Sequence, residues 1–412
     1  MNSKRSHSLS VKKAKTILVK SLKLEFTCDS VAVSRSMGRI KAGSIIAHYN
    51  DPPYSRSAMD GYAVRASDLS LATPSAPVVL HKIASITIGE EQKQHEGEGT
   101  CVWVPTGAVV PPFYDSVVQV ELTAEENSEV RFTSGIREGS NVDPIGYYHK
   151  NGDILVRSGS KISSRDIAIL SALGIQEIEV IRKPRIGIVS TGNELIPQGA
   201  QKHSDKVYDS NGHAIKSLLE ETGFFTTKYY GIIRDDEGEI SSELKQMVTE
   251  NDLVVTTGGT SKGDKDFLPR VLSNLSPGIQ FQGMNVKPGK PTIFALSGEI
   301  PIIALPGPPV SSYLVMFDIF LPIILSKLGI RSFSPPVRAL LSEDVRVSGG
   351  KYNIVPVSLV QGDELKANPL QGSSAAISRL SMANGYFTYE GDLKLLKQDT
   401  EVMVKPFTTS VF

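Results

Sequence analysis

The sequence predicts a multidomain α/β plus β protein, organised around a central three-layer α/β domain with a mostly parallel sheet. Between Arg185 and Leu328, four apolar segments alternate with four candidate helices, the pattern of parallel strands joined by crossover helices. Residues 47–147 and 330–412 read instead as short strand-like runs separated by Gly, Pro and acidic clusters, the signature of small β domains. At 412 residues, the chain also exceeds what one hydrophobic core holds.

In chain order, residues 1 to about 9 are polar, and Lys4, Arg5, Lys12, Lys13 and Lys15 read as a solvated basic arm. Residues 14–24 have helical spacing, and residues 31–40 read as a strand entering a short helical turn that ends at Gly38. Asp51-Pro-Pro-Tyr54 cannot be helical, because proline removes a donor and restricts its predecessor. It introduces Ser57-Ala-Met-Asp-Gly-Tyr-Ala-Val64, followed by strand-like residues 78–88, 100–104, 116–122 and 130–132. Gly152-Asp-Ile-Leu-Val-Arg-Ser-Gly159 and helical residues 163–173 then return the chain toward the first region. This gives a discontinuous domain of residues 10–46 and 148–182 around a β-rich domain of residues 47–147.

The α/β domain spans residues 183–329. Its apolar segments are Arg185–Ser190, leading into Thr191-Gly-Asn-Glu-Leu195; Thr226–Ile233, before Arg234-Asp-Asp236; Asp252–Thr256, before Thr257-Gly-Gly-Thr-Ser-Lys-Gly-Asp-Lys-Asp266; and Ile300–Leu305, before Pro306-Gly-Pro-Pro309. Helices are predicted at about 211–222, 237–250, 266–274 and 309–328. In such sheets ligands sit at the carboxyl ends of the strands, where the loops of unusual chemistry lie. Residues 330–412 form a last, small β domain with strands near 337–347, 352–360, 365–369 and 401–405.

Charge balances at 44 basic and 44 acidic residues, which argues against nucleic acid as a partner. Cys28 and Cys101 are too few for a disulfide framework or a Cys-rich metal site, so a reducing cytoplasm fits best. No signal peptide is legible. The apolar stretch at residues 312–325 is short and carries Asp318 and Pro322, which fits a buried crossover helix and no membrane span.

Thr257–Asp266 is the strongest local signal, since its glycines let backbone N–H groups approach an anion and Thr260 and Ser261 add hydroxyls. A Gly-rich turn with an Asp helix cap reads equally well. The spacing is neither that of a P-loop nor that of a dinucleotide fold. Lys287-Pro-Gly-Lys-Pro291 sets two ammonium groups on a proline-stiffened loop, suited to phosphate or another oxyanion, although taken alone such a motif is more often a solvated turn. Glu194, Asp209, Asp235, Asp236, Asp264 and Asp266 supply carboxylates at strand ends, the donor type of Mg²⁺. The seven histidines show no paired metal-ligand spacing, and no Ser-His-Asp or Cys-His set can be nominated.

Taken together, Ser57-Ala-Met-Asp-Gly-Tyr-Ala, Pro105-Thr-Gly-Ala, Ser190-Thr-Gly-Asn-Glu-Leu, Asp209-Ser-Asn, Thr257-Gly-Gly-Thr-Ser, Lys287-Pro-Gly-Lys-Pro and Leu305-Pro-Gly-Pro-Pro-Val-Ser311 resemble the MoeA family of molybdopterin molybdenumtransferases. Gln371-Gly-Ser-Ser and Ala383-Asn-Gly385 extend the match. The gephyrin C-terminal domain is the eukaryotic counterpart. This resemblance implies an α/β domain of molybdopterin-binding type, a β-rich lid, an elongated linker domain and a C-terminal β-barrel-like domain, usually in a homodimer whose cleft is shared between subunits. It implies a reaction in which adenylylated molybdopterin and molybdate react with Mg²⁺ assistance, AMP leaves and molybdenum stays on the dithiolene.

Carried onto this sequence, the resemblance gives Asp60, Glu194, Asp235 and Asp266 the positioning of Mg²⁺ or the attacking group, with Asp60, Glu194 and Asp266 as metal ligands. Thr106, Lys287 and Lys290 hold molybdate or substrate phosphate. Gly258, Gly259, Ser261, Asp209 and Ser210 contact the pterin or its phosphate, and Thr191, Gly192, Gly263, Pro306, Gly307 and Pro309 complete the substrate-binding set.

Three departures stand out. Asn141-Val-Asp-Pro-Ile-Gly-Tyr-Tyr148 lacks the family's Arg and the Asp of its Gly-Glu-Asp, Pro308 replaces an Asn, and Asn193 replaces an Asp. They keep open a pterin-binding or scaffold protein of reduced activity, and molybdopterin adenylylation is the rival reaction. Asp266→Asn is expected to cut molybdenum insertion with little change in fold, and undiminished insertion removes Asp266 from the catalytic set.

Overall fold

The computed structural model describes residues 8–24, 27–89, 95–260, 267–330 and 335–407. The chain divides into two compact units, one formed by Ser44–Arg157 and the other by Met1–Gly43 together with Ser158–Phe412. The four-way division expected from the sequence is finer than this.

The larger unit begins with α1 (Val11–Ser21), which Ser10 caps by accepting a hydrogen bond from the Lys13 amide. Val11, Ala14 and Leu18 are its buried face, a stripe at helical spacing. The next strand, β1 (Cys28–Ala32), finds its partner far along the chain, at residues 177–181.

In the smaller unit, β2 (Gly61–Val64), β3 (Val78–Ser85), β4 (Thr100–Val104), β5 (Ser116–Gln119), β6 (Thr123–Glu126) and β7 (Glu129–Phe132) form one sheet in the order β5-β2-β4-β3-β7-β6. Alternate residues bury on opposite faces: Tyr62, Val64 and Cys101 join Leu80 and Phe132, while Ala63, Val102 and Val104 join Val117 and Tyr114. The second half of the Ser57–Val64 motif is therefore a central strand. Gly61 is obligatory there, because a Cβ would lie 2.0 Å from the Val118 carbonyl oxygen.

The larger unit resumes with α2 (Ser164–Ala172), closed by a capping box between Ser163 and Asp166, and β8 (Glu177–Ile181), the partner of β1. Then come β9 (Arg185–Thr191), α3 (Asn211–Glu221), β10 (Thr226–Ile233), α4 (Glu237–Glu250), β11 (Leu253–Thr257), α5 (Phe267–Ser273), β12 (Pro277–Gln282), β13 (Ile293–Ser297), β14 (Ile300–Leu305) and the long helix α6 (Pro309–Lys327). The sheet runs β10-β9-β11-β14-β13-β12. Its first four strands are parallel, and β13 and β12 return antiparallel. These four parallel strands are the apolar segments legible in the sequence, because burial on both faces makes such strands continuous apolar runs. One face packs on α3, α6 and α1, the other on α4 and α5. Three layers result.

Register aligns the carboxyl ends: Ser190 is opposite Thr257, Thr257 opposite Leu305 and Thr191 opposite Ile233. All four loops of interest therefore leave the sheet at one level.

The C-terminal segment comprises β15 (Val337–Leu341), β16 (Lys351–Val360), β17 (Lys366–Pro369), α7 (Ile377–Ser381), β18 (Gly385–Gly391) and β19 (Glu401–Pro406). Pairing runs β16-β17-β15-β19-β18 and closes from β18 back to β16, a small barrel without free edges. The two-residue strand Val286–Lys287 adds to it along β16.

Helix α6 is long and apolar enough to cross a membrane by length and composition, yet 67% of its apolar window is buried inside the fold. Its middle turn, Met316–Phe320, is π-helical and carries the buried Asp318. Asp318 Oδ2 accepts from the Tyr352 hydroxyl at 2.8 Å, and Oδ1 accepts from the Tyr386 hydroxyl and the Lys405 ammonium at 2.8 and 2.9 Å. Burial pushes the Asp318 carboxyl up, but the charges of Lys405 and Lys15 and the Tyr352 hydroxyl outweigh it and hold the group below the usual carboxylate range.

Asp318→Ala should cost about 3 kcal/mol at pH 7, toward the lower end for a broken buried pair because Lys405 is partly screened by solvent. A lowered carboxyl pKa contributes stability above its unfolded value near ~3.9 and loses it as pH falls through the folded value. The gap between wild type and variant in urea denaturation should therefore close below about pH 4. A gap unchanged in acid contradicts this role.

Candidate functional site

At the strand ends of the larger unit, the sequence motifs form a packed platform. Asp209, 2% exposed, stands just before α3. Its Oδ1 accepts the amides of Asn211 and Gly212 at 3.1 and 3.2 Å, while Oδ2 accepts the hydroxyls of Ser190 and Tyr229 at 2.8 and 2.5 Å. Ser190 also meets the Thr257 hydroxyl at 3.0 Å, across β9 and β11. The Asp209 carboxylate is thus committed to orienting the α3 N-terminus. Burial and the bond to Asp209 push the Tyr229 hydroxyl well above its ordinary value, so Tyr229 serves as a neutral donor. Ser210 is the α3 N-cap residue without a side-chain capping bond.

Gly258 and Gly259 pack directly on Thr191: a Cβ on Gly258 would fall 2.2 Å from the Thr191 carbonyl oxygen, and one on Gly259 would fall 2.7 Å from its hydroxyl. That hydroxyl is buried with no hydrogen-bond partner among the described residues, an orphan donor where a ligand's acceptor is welcome. The next loop joins the platform through Gly258 N, which donates to Leu305 O at 3.1 Å. Asn211 Nδ2 donates to Gly307 O at 2.7 Å, tying the α3 start to Pro306-Gly-Pro-Pro309. Of the phosphate-loop residues, Ser261, Gly263, Asp264 and Asp266 lie outside the described residues.

Beside this platform, in the same unit, opens a cleft of about 510 Å³. Lys287, Lys290, Pro306 and Pro308 line it from the α/β side, and Arg346, Lys351, Ser373, Ser374 and Arg379 line it from the barrel side. No carboxylate is among its described lining residues. The lysine loop is pinned at its turn: Gly289, at φ +112, would place a Cβ 2.2 Å from Val315 of α6, and Thr292 Oγ1 donates to Gly289 O at 2.7 Å. Such a set of cations lining one concave, partly apolar surface is electrostatically complementary to an oxyanion.

In the smaller unit, Asp60 and Thr106 meet as a pair. Asp60 Oδ1 accepts both the Thr106 amide at 2.6 Å and the Thr106 hydroxyl at 2.8 Å. These bonds, the amide's first, hold the exposed Asp60 carboxyl below its ordinary value, so it is ionised at neutral pH. Where the sequence departs from the family, the Tyr148 hydroxyl donates to Asp143 Oδ2 at 2.6 Å, and that bond pushes the hydroxyl's pKa up.

Glu194 and Asp235 belong to the strand-end loops. Asn193 and Asp235 form a reciprocal pair, each backbone amide donating to the other's side chain at 3.3 Å. Among the described residues no three His, Cys, Asp or Glu side chains converge as a metal set. For Mg²⁺ the described residues therefore offer no assembled donor set.

Arg346, Lys351 and Arg379 carry no local motif that announces them. Gln371-Gly-Ser-Ser was legible as a family match without a role, and it is the stretch that brings Ser373 and Ser374 into the cleft.

Three family models match the chain: the MoeA N-terminal region (domain I and II) over residues 9–174, a probable molybdopterin binding domain over residues 187–326 and the MoeA C-terminal region (domain IV) over residues 338–407. A molybdopterin molybdenumtransferase of Bacillus subtilis is 30% identical over 383 residues, which cover 91% of this chain and 88% of that protein. One from a Nostoc species is 30% identical over 339 residues, covering 81% of this chain and 77% of that protein. The crystal structure of a molybdopterin biosynthesis MoeA protein from Pyrococcus horikosii aligns with a TM-score of 0.87 at 30% identity, over 98% of this chain and 100% of that one.

The platform's packing is testable. Gly258 (φ +89) faces the Thr191 carbonyl, whereas Gly298 (φ +58) has nothing within 4 Å of its Cβ position. Gly258→Ala should lose roughly 2 kcal/mol more stability than Gly298→Ala, because only the first adds overpacking to backbone strain. Equal denaturation midpoints for the two variants contradict the packing.

Proposed function

The chain belongs to the MoeA family of molybdopterin molybdenumtransferases, and we propose that it inserts molybdenum from molybdate into adenylylated molybdopterin, releasing AMP. The observation that carries this reading is the cleft lined by Lys287, Lys290, Arg346 and Lys351, with no carboxylate among its described lining residues. Molybdate is a tetrahedral dianion, and the substrate's AMP–phosphate link adds further negative charge. Both match a cleft of this sign.

In this proposal the pterin lies against the strand-end platform, with Gly258, Gly259, Thr191 and Gly192 letting it approach the backbone closely and Ser210, Gly307 and Pro309 bordering it. Lys287 and Lys290 hold molybdate beside the phosphoryl group. A water oxygen bonds to the phosphorus as the AMP–phosphate bond breaks, its proton passing to solvent and AMP leaving, and charge develops on the phosphoryl oxygens and on the departing phosphate. The pinned lysine loop presents its ammonium groups to that charge without rearrangement, which lowers the barrier more than mobile groups do. Where two subunits share the cleft, Asp60, kept ionised by Thr106, is the group that positions the attacking water, and Asp235 stays paired with Asn193. A homodimer and a cytoplasmic setting belong to the same proposal. The three matches spanning residues 9–407 favour insertion over adenylylation, since they extend well beyond the pterin-binding domain.

Purified protein supplied with adenylylated molybdopterin, molybdate and Mg²⁺ should release AMP. Lys290→Ala should lower kcat/KM roughly 10- to 100-fold, the worth of one charge-assisted contact, with an unchanged melting temperature. Pterin binding without AMP release by the wild type would instead make the chain a binding protein.

A further inference from the structure

We infer that Arg379 is a specificity-determining ligand for the tetrahedral oxyanion of this cleft, with the bare backbone of Gly372 leaving its guanidinium the room it occupies. The inference rests on the reading of the cleft given above and adds a residue that no sequence motif marks. Arg379 lies on the five-residue helix α7, and its guanidinium is laid against Gly372. A Cβ there would fall 1.9 Å from Nη1, 2.3 Å from Cζ and 2.9 Å from Nε. A side chain at 372 would therefore displace the end of the flexible Arg379 side chain from its place in the cleft. Gly372 also has φ +151, which L side chains rarely adopt.

Arg379 makes no side-chain hydrogen bond or ion pair with the described residues, and it lines the same cleft as Lys287, Lys290, Arg346 and Lys351. Cations gathered with no carboxylate among the described lining residues repel one another, which favours an anion joining them. Arginine differs from its lysine neighbours in kind: its planar fork offers two parallel N–H donors, which fit two oxygens of a tetrahedral oxyanion. Lysines supply point charge, whereas Arg379 supplies orientation. Molybdate and a substrate phosphate share this chemistry, and they can be told apart by presenting each alone.

Titration calorimetry on the full chain at low ionic strength, with sodium molybdate and with inorganic phosphate separately, tests the assignment. Arg379→Lys retains charge but removes the fork. Gly372→Ala retains every charge and dislodges the guanidinium. Each should weaken binding of at least one probe roughly tenfold, and the probe more strongly affected identifies the anion. Lys20→Gln, a charge lost from α1 outside the cleft, should leave both affinities unchanged. Circular dichroism establishes that each variant is folded.

Wild-type affinity for both probes in the Arg379 and Gly372 variants overturns the inference while leaving the cleft's function standing. An equal loss in Lys20→Gln also overturns it, since diffuse electrostatics would then suffice. Absence of binding by the wild type defeats the reading of the cleft itself, and the role of Arg379 with it.

Discussion

The cationic cleft depends on a buried negative charge that does not line it. Asp318 projects from the π-helical turn of α6 and collects Tyr352, Tyr386 and Lys405 from three barrel strands. One carboxylate therefore seats the barrel on the helix that follows the Pro306–Pro309 loop. A buried carboxylate with fewer partners would be costly, so this position is stable only when the barrel is docked. Aromatic contacts close the same junction: Phe317, Tyr386 and Phe407 pack edge-on or stacked with centroids 5.2 to 5.8 Å apart. The strand Val286–Lys287 is paired with β16, so the barrel also fixes the base of the lysine loop. Both walls of the cleft are held by the same docking.

This arrangement separates stability from function. The charge that pays the cost of burial is satisfied inside the junction, while no anion among the described lining residues of the cleft quenches its cations. A lysine paired with a neighbouring carboxylate would bind oxyanions weakly, because the ligand would have to displace that partner. Here the restraint on the lysine loop comes from backbone packing, through Gly289 against α6, and bare Gly372 leaves room for the Arg379 guanidinium. Small residues set the geometry and leave the charges available.

Much of the fold was legible in the sequence, for a physical reason. The parallel strands β9, β10, β11 and β14 are buried on both faces and so appear as unbroken apolar runs. The antiparallel strands β12, β13 and β18 were not anticipated: Pro277 and Gly278 open β12, its pairing with β13 is irregular between Ile279 and Phe281, and β18 reads Gly-Tyr-Phe-Thr-Tyr-Glu-Gly without clean alternation. In the sequence, Asp318 marks only a stretch unsuited to a membrane span. Its partners are 34, 68 and 87 residues away, and no local pattern announces a contact of that separation. The candidate site divides the same way. Lys287 and Lys290 share a motif, whereas Arg346, Lys351 and Arg379 reach the cleft only through barrel topology.

The departures from the family pattern look less disruptive in three dimensions than in one. Pro308 lacks a side-chain amide, but the loop still receives one, because Asn211 donates to Gly307 O from the start of α3. Proline also suits the place it occupies, with φ −63 just before the first turn of α6. Asn193 faces Asp235 in a reciprocal pair in which its carbonyl accepts the Asp235 amide and its own amide donates to the Asp235 carboxylate. An aspartate at 193 would set a second negative charge against Asp235, so the neutral side chain keeps these two loops together. Tyr148 and Asp143 are likewise joined by one short hydrogen bond. In each case a lost charge or amide is met by a nearby group that restores local pairing, which is what a fold retaining its site requires.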